Sequence, residues 1–169
     1  KDRKERKYSA SGGIAFGFYK RWIQNAGIVY GAAFNEKGIL TQQKAETLEE
    51  ARKFRGSKYV QSYNGFSYSE IGKELKKGKK VLFIGTPCQI AGLKAYLGKA
   101  SDALVTIDLI CHGTPPMSYL EEYIKEIAGA EKVDRVSFRG EKDYHMVFYS
   151  QDRVVYSQRF RKDLYYTAY

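Results

Sequence analysis

The sequence has few cysteines and no long apolar run, and these two absences exclude several classes of protein. Only two of its 169 residues are cysteine, too few for the disulfide framework of a small secreted domain. No run of eighteen apolar residues occurs, so the sequence predicts no membrane-spanning helix. The basic residues 1–7 are followed by small and polar residues, whereas a signal peptide continues with an apolar segment. We therefore expect a cytoplasmic protein.

Common catalytic patterns are also missing. The sequence contains no Gly-x-Gly-x-x-Gly, no zinc-ligand spacing, no paired carboxylates and no Ser–His–Asp arrangement. It shows no internal repeat and no low-complexity linker, and its length suits one domain with its own core. The net charge of +10 and the fifteen tyrosines leave three kinds of ligand open: nucleic acid, an acidic partner or an anionic cofactor.

The apolar pattern of the first half predicts helices that alternate with buried strands. Ile14, Phe18 and Trp22 recur every four residues, which predicts a helix capped by Ser11 with this stripe buried. Continuous apolar runs at 28–34 and 81–84, and the largely apolar run at 104–110, are typical of buried strands. Pro87 suits the first turn of a helix that would connect the last two strands as a crossover. This half therefore predicts a parallel sheet with helices around it.

The pattern changes after about residue 130. Residues 133–139, 144–150 and 153–160 resemble strands, and Gln151 and Asp152 separate the last two in the manner of a hairpin. We expect an α/β fold: a mostly parallel or mixed central sheet flanked by helices, with an antiparallel hairpin near the C-terminus.

Each cysteine follows one of the predicted strands. Cys88 comes after Gly85, at the start of the predicted crossover helix, where exposed amides attract anions and favour a thiolate. Cys111 follows the next strand, with His112 beside it. Ligands bind at the carboxyl ends of strands in open α/β sheets, so these positions predict a ligand or metal site. The alternative is that both cysteines are small buried side chains.

Five segments occur in the order and spacing of one known family. These are residues 11–13, 29–34, 55–62, 85–93 and 108–113. Together they resemble the coenzyme F420 hydrogenase/dehydrogenase beta-subunit family over roughly residues 8–140. The resemblance implies an oxidoreductase subunit that moves electrons between a 4Fe-4S cluster, FAD and a substrate such as the deazaflavin coenzyme F420 or another acceptor. It also implies that 1–78 form the N-terminal part of the catalytic region and 79–169 the beginning of its C-terminal part, within one compact unit.

The resemblance assigns the two cysteines to the metal. It implies that Cys88 and Cys111 are two of the four thiolate ligands of the 4Fe-4S cluster. Two further cysteines are then expected beyond Tyr169, and a ferredoxin-like segment before residue 1. We accordingly expect the sequence to be a fragment that is inactive by itself.

The resemblance also suggests where FAD would bind. The candidate cofactor-binding residues are Ser11, Gly12, Gly13, Arg55, Ser57, Lys58, Thr86 and Gln89. Residues 11–13 offer a hydroxyl and unhindered amides for a pyrophosphate. Arg55, Ser57 and Lys58 offer a hydroxyl and two cations, and Thr86 and Gln89 offer polar side chains at a helix start. Ordinary helix capping and solvated charge are the alternatives. His112 is a candidate for orienting a ligand or transferring a proton, and Asp108 for a bond to the cofactor.

Two other functions remain open at this point. The basic charge and the aromatic residues suit a nucleic-acid-binding module, although no known motif is present. Cys88 and Cys111 could instead form a thiol–disulfide switch. For the oxidoreductase we expect a ferredoxin-like electron donor or partner subunit and a small-molecule substrate, rather than nucleic acid or a membrane.

Overall fold

The computed structural model describes residues 9–139 and 144–167. The basic residues 1–7 and the terminal Tyr169 lie outside the described residues. The strands are β1 (Ile28–Phe34), β2 (Leu40–Ala45), β3 (Val81–Gly85), β4 (Leu104–Asp108), β5 (Arg135–Ser137), β6 (His145–Ser150) and β7 (Arg153–Arg159). The α-helices are α1 (Ile14–Gln24), α2 (Leu48–Ala51), α3 (Ser67–Lys76), α4 (Pro87–Leu97), α5 (Met117–Ala128) and α6 (Leu164–Thr167). Short 3-10 helices occupy Ala10–Gly13, Arg52–Phe54 and Phe160–Lys162.

A mixed four-stranded sheet forms the centre of the molecule. Its strand order is β2-β1-β3-β4, with β1, β3 and β4 parallel and β2 antiparallel to β1. The expected parallel neighbours β3 and β4 are therefore confirmed, and α4 connects them. The strand β2 was not predicted, because residues 41–44 are all polar and show no apolar run.

The fourth strand is shorter and more exposed than predicted. Strand β4 ends at Asp108 rather than at Ile110, and it is the edge strand of this sheet among the described residues. Val105 and Asp108 are exposed, and its other three side chains are partly buried. Beyond its end, Leu109 and Ile110 are exposed although both are apolar.

Helices cover both faces of the central sheet. Alternate residues of a strand point to opposite faces, so β3 contributes Leu82 and Ile84 to one core cluster and Val81 and Phe83 to another. The first cluster packs against α1 and α2, and the second packs against α3 and α4. The near-complete burial of β3 follows from this two-sided covering and agrees with its continuous apolar sequence.

Helix α1 presents a different face to the core from the one predicted. The helix begins at Ile14 with Gly13 as its N-cap, rather than with Ser11. Its buried residues are Phe16 and Tyr19, whereas Ile14 is 71% exposed. Strand β1 has a glycine, Gly31, where a Cβ would lie 2.4 Å from the Tyr19 hydroxyl. The missing side chain at this glycine makes room for the aromatic face of the helix, which periodicity alone could not show.

A separate three-stranded antiparallel sheet, β5-β6-β7, follows α5. The expected hairpin is confirmed: β6 and β7 pair through Gln151 and Asp152, both with positive φ (48° and 63°). Such left-handed residues are typical of two-residue hairpin loops. An aromatic-rich core of Tyr123, Phe148, Tyr165 and their neighbours joins this sheet to α5 and α6.

Candidate functional site

A cleft of about 700 Å³ opens at the carboxyl ends of β3 and β4. Its walls are the start of α1, the segment 54–62, the corner 84–89, the segment 107–114, three residues of β1 and β2 (Ala32, Leu40 and Gln42) and Arg139, which follows β5. The segment 54–62 is fixed to its surroundings by backbone bonds. The Gln61 N–H donates to the Pro115 carbonyl at 2.9 Å, and Tyr63 exchanges backbone hydrogen bonds with Leu40 and Gln42 of β2. Backbone hydrogen bonds therefore hold this wall against the central sheet, as expected for a preformed ligand site.

Both cysteines line this cleft, and neither is buried. Cys88 and Cys111 are free thiols with exposed side chains, which contradicts the alternative of two small buried residues. The Cys88 sulfur lies 3.1 Å from Thr86 Oγ1, and the Cys111 sulfur accepts a hydrogen bond from the Gly113 N–H at 3.4 Å. Cys88 occupies the first turn of α4. Burial is the main cause that raises the pKa of the Tyr68 phenol, and the nearby Cys88 is the second.

Lys58 places a largely buried amine at the cleft wall. Its Nζ donates to the carbonyls of Lys53 at 3.1 Å and Arg55 at 3.0 Å. No ion pair joins it to a carboxylate in the part of the chain that is described. Because burial penalises the charged form, the pKa of Lys58 falls to about 7. At neutral pH this amine can therefore gain a proton when an anion enters the cleft.

Two arginines add positive charge to the same walls. The Arg55 guanidinium lies 5.3 Å from the centre of the Phe16 ring. Arg139 donates from Nε and Nη2 to the Tyr59 hydroxyl, at 3.0 and 2.6 Å. Among the described residues that line the cleft, Asp108 is the single carboxylate. The cleft therefore carries a net positive charge, which suits a ligand with negative groups.

An amide cluster lies on the cleft wall beside α4. Gln89 Oε1 accepts from the Thr86 backbone N–H at 3.1 Å, and Gln89 Nε2 donates to the Ser62 hydroxyl at 2.8 Å. Gln42 Nε2 donates to Gln89 Oε1 at 3.2 Å, and Gln42 is only 7% exposed. Its own oxygen has no hydrogen-bond partner in the described structure.

The structure brings most of the predicted site residues together. Those that line the cleft are Gly13, Arg55, Ser57, Lys58, Thr86, Cys88, Gln89, Cys111 and His112. Gly12 is exposed and does not line it, and the side chain of Ser11 lies outside the described part of the structure. Gly12 and Gly13 both have positive φ, 85° and 79°, so the turn itself requires glycine there.

Several polar residues of the cleft were not candidates in the sequence analysis. Gln42 lies on the unpredicted strand β2, Ser62 and Tyr59 lie in the segment 54–62, and Arg139 follows β5. A buried glutamine in a strand leaves no pattern in the sequence. Arg139 is some fifty residues from the corner at Gly85, and only the packing of the second sheet brings it to the cleft.

Comparisons with known proteins give the family. The family of the C-terminal part of the coenzyme F420 hydrogenase/dehydrogenase beta subunit matches residues 78–164, which is more than half of the chain. The chain belongs to this family. The resemblance found in its motifs is thereby confirmed, and the family is one of oxidoreductase subunits. A search of curated protein sequences found no match.

A solved structure shows the same fold. The chain is similar to a chain of the F420-reducing NiFe hydrogenase complex from Methanosarcina barkeri, with a TM-score of 0.62 and 19% sequence identity. The similarity covers 95% of this chain and 58% of that one. The present chain therefore spans little more than half the length of its structural relative.

The described residues do not complete a metal site by themselves. They contain no group of three or more His, Cys, Asp or Glu side chains placed to hold a metal ion. The whole sequence has two cysteines, half of the four thiolates that a 4Fe-4S cluster takes. None of the helices in residues 9–139 and 144–167 has the length and apolar character needed to cross a membrane.

Proposed function

We propose that this chain is the FAD-binding part of an oxidoreductase subunit that transfers electrons between a 4Fe-4S cluster, FAD and a substrate such as coenzyme F420 or another acceptor. The proposal rests on one observation. The cleft at the carboxyl edge of the parallel strands has two arginines, one lysine and a single carboxylate among its described lining residues. Family membership supplies the class of reaction, and the cleft supplies a place for a large anionic cofactor.

The charges of the cleft fit the pyrophosphate of FAD. Lys58 is held by two carbonyls and has no carboxylate partner in the described chain, so an anion would compensate its charge. The first turn of α1 also borders the cleft, and a helix N-terminus favours negative groups. Arg55 and Arg139 would add attraction from two other walls.

The apolar part of the lining fits the aromatic ring of the cofactor. Ala32, Leu40, Ile84 and Ile107 line the cleft together with the polar amide cluster. Apolar walls with a few placed polar groups are typical of cofactor sites, because they bind the ring faces and fix its edge. When bound, FAD would supply hydride and single-electron chemistry. The residues of this chain would bind it, orient it and keep water from its ring.

The two cysteines fit half of the cluster. We assign Cys88 and Cys111 as ligands that need two more thiolates from outside this sequence. Iron and acid-labile sulfide on the anaerobically purified 169-residue chain should both be near zero. About four irons per chain would contradict the assignment, and about two per chain would show that two copies share one cluster.

An electron-carrying partner is part of the proposal. The structural relative belongs to a hydrogenase complex, and we propose that this protein likewise works with a partner subunit or a ferredoxin-like donor. Five lysines between 73 and 80 are exposed near the amino end of β3, the end of that strand opposite the cleft. They would attract an acidic protein without blocking the cleft.

Flavin binding tests the proposed function directly. Purified protein, stripped of flavin, would be titrated with FAD and followed by flavin fluorescence. We expect saturable binding that weakens by about 10- to 100-fold in Lys58→Met, because a charge-assisted contact is lost. Lys53→Met is the matched control, since Lys53 is exposed on the same segment and does not line the cleft.

Two outcomes would contradict the proposal. Failure of the unaltered protein to bind FAD would remove the cofactor from it. Equal FAD affinity in Lys58→Met and Lys53→Met, with native circular dichroism in both, would show that the anionic groups lie elsewhere. Reduction of coenzyme F420 by the protein loaded with chemically reduced flavin, compared with reduction of a simple dye, would then separate the named substrate from other acceptors.

A further inference from the structure

The amide cluster on the cleft wall has a fixed direction of hydrogen bonding. The backbone N–H of Thr86 can only donate, and it contacts one end of the Gln89 amide at 3.1 Å. The backbone carbonyl of Ser62 can only accept, and it contacts the other end at 3.1 Å. The first contact must therefore be the Gln89 oxygen and the second its nitrogen, so the orientation of this amide is determined by chemistry.

The orientation of Gln89 determines that of Gln42. One end of the Gln42 amide lies 3.2 Å from the Gln89 oxygen, which accepts hydrogen bonds and cannot donate them. Gln42 must therefore present its nitrogen to Gln89. The Gln42 oxygen is consequently the end that has no partner, and flipping the side chain would bring two acceptor oxygens to 3.2 Å from each other.

This unpartnered oxygen is unusual for its degree of burial. Gln42 is 7% exposed, and its Oε1 is both buried and without a hydrogen bond in the described structure. A buried acceptor without a donor costs free energy, and most such groups in folded proteins are paired. Because Gln42 lines the cleft, the missing donor can come from a ligand after a small shift of the covering side chains.

We propose that Gln42 positions the ring of the bound cofactor by accepting a hydrogen bond from an N–H group of that ring. This inference rests on the proposed function and names the contact within it: the imide N–H at ring position N3 of a flavin. The pyrophosphate of FAD is fully ionised at neutral pH, so its oxygens only accept hydrogen bonds and cannot satisfy Gln42.

The neighbours of Gln42 favour a ring over a sugar hydroxyl as the donor. Ala32 lies directly opposite Gln42 in the β1–β2 pairing, and Leu40 lies two residues away on the same face of β2. Both line the cleft, and both are apolar. A planar ring packs on such a surface with its polar edge toward the amide, whereas hydroxyl groups would lose hydration against it.

A ligand that lacks the N–H tests this contact. Affinities for FAD and for FAD methylated at N3 would be measured in the unaltered protein, in Gln42→Met and in Gln43→Met. Gln42→Met keeps the length of the side chain and removes the acceptor. Gln43 is the matched control, because it is the next residue of β2 and bonds away from the cleft to the Ala33 carbonyl at 3.0 Å.

The decisive quantity is the ratio of the two affinities. We expect the preference for FAD over its methylated form to be about tenfold greater in the unaltered protein and in Gln43→Met than in Gln42→Met. A merely steric effect of the methyl group would leave the ratio unchanged in Gln42→Met, and that result would overturn the inference while FAD binding stands. If the unaltered protein binds no FAD, the proposed function fails, and the inference fails with it.

Discussion

Lys58 offers the sharpest physical test of the cleft, because its burial makes protein stability depend on pH. Its pKa falls from 10.5 to about 7, and each unit of such a change corresponds to about 1.36 kcal/mol. The full drop would correspond to about 5 kcal/mol. The two carbonyls that accept from Nζ favour the charged amine, so this figure is an upper bound.

The sign follows from where the proton is bound. Between about pH 7 and 10.5 the unfolded chain keeps the proton on this lysine while the folded chain loses it, so folding is increasingly favoured as the pH rises. Below about pH 7 the full cost of burying the charge is present. In Lys58→Met this contribution is absent at every pH.

Urea unfolding at several pH values measures the effect. From about pH 7.5 to 9.5 the unfolding free energy of the unaltered protein should rise by about 2 to 3 kcal/mol relative to that of Lys58→Met. Other titrating groups cancel in this difference, and Lys53→Met controls for the loss of a lysine from the same segment. A difference that stays constant across the pH range would show that the Lys58 amine is not desolvated, and the argument for an anion at this position would lose its basis.

Three further predictions follow from single contacts. Gly31→Ala should lower the unfolding free energy by about 2 to 3 kcal/mol, because the new Cβ would lie 2.4 Å from the Tyr19 hydroxyl. Gly72→Ala in helix α3 is the control: its Cβ would make an ordinary contact with Leu97, and it should raise the unfolding free energy by about 0.5 to 1 kcal/mol. Asp163→Asn should lower it by about 1 to 2 kcal/mol, because both oxygens of the buried carboxylate accept hydrogen bonds and asparagine has only one acceptor oxygen. Oδ2 accepts from the Tyr156 hydroxyl and Oδ1 from the Tyr165 N–H, each at 3.0 Å. If FAD binds as proposed, its affinity should fall above about pH 7, by at most tenfold per pH unit, because the free protein then holds Lys58 as a neutral amine. An FAD affinity that does not change with pH would contradict this coupling.

Three parts of the fold could be predicted because neighbouring residues in the chain determine them. The buried run of β3, the helix that begins at Pro87 and the hairpin at Gln151 all lie where the sequence indicates. Each is determined by residues close together in the chain: a continuous apolar run, a proline at a helix start and a two-residue loop. The position of Cys88 at a strand–helix corner follows from the same local pattern.

The features that were missed depend on contacts between distant segments. Strand β2 has a polar sequence and exists because it pairs with β1 on one side and the segment near Tyr63 on the other. Gln42 becomes buried only through this pairing. The rotation of α1 is likewise decided by Gly31 of another element, through the space that it leaves for Tyr19. Secondary-structure propensity and apolar periodicity describe neighbouring residues, so they do not predict pairings between distant segments.

The second sheet takes part in forming the cleft. Arg139 enters the wall shortly after β5, and its Nε and Nη2 both donate to the hydroxyl of Tyr59. Tyr59 is fixed in turn by Tyr165, whose hydroxyl donates to the Tyr59 carbonyl at 2.7 Å. Because Tyr165 is fully buried in the aromatic core of the second sheet, the position of this arginine depends on that core being folded. Residues of both sheets therefore determine the positive charge of the cleft. Substitutions that disturb the antiparallel sheet should alter ligand binding in the cleft at the central sheet.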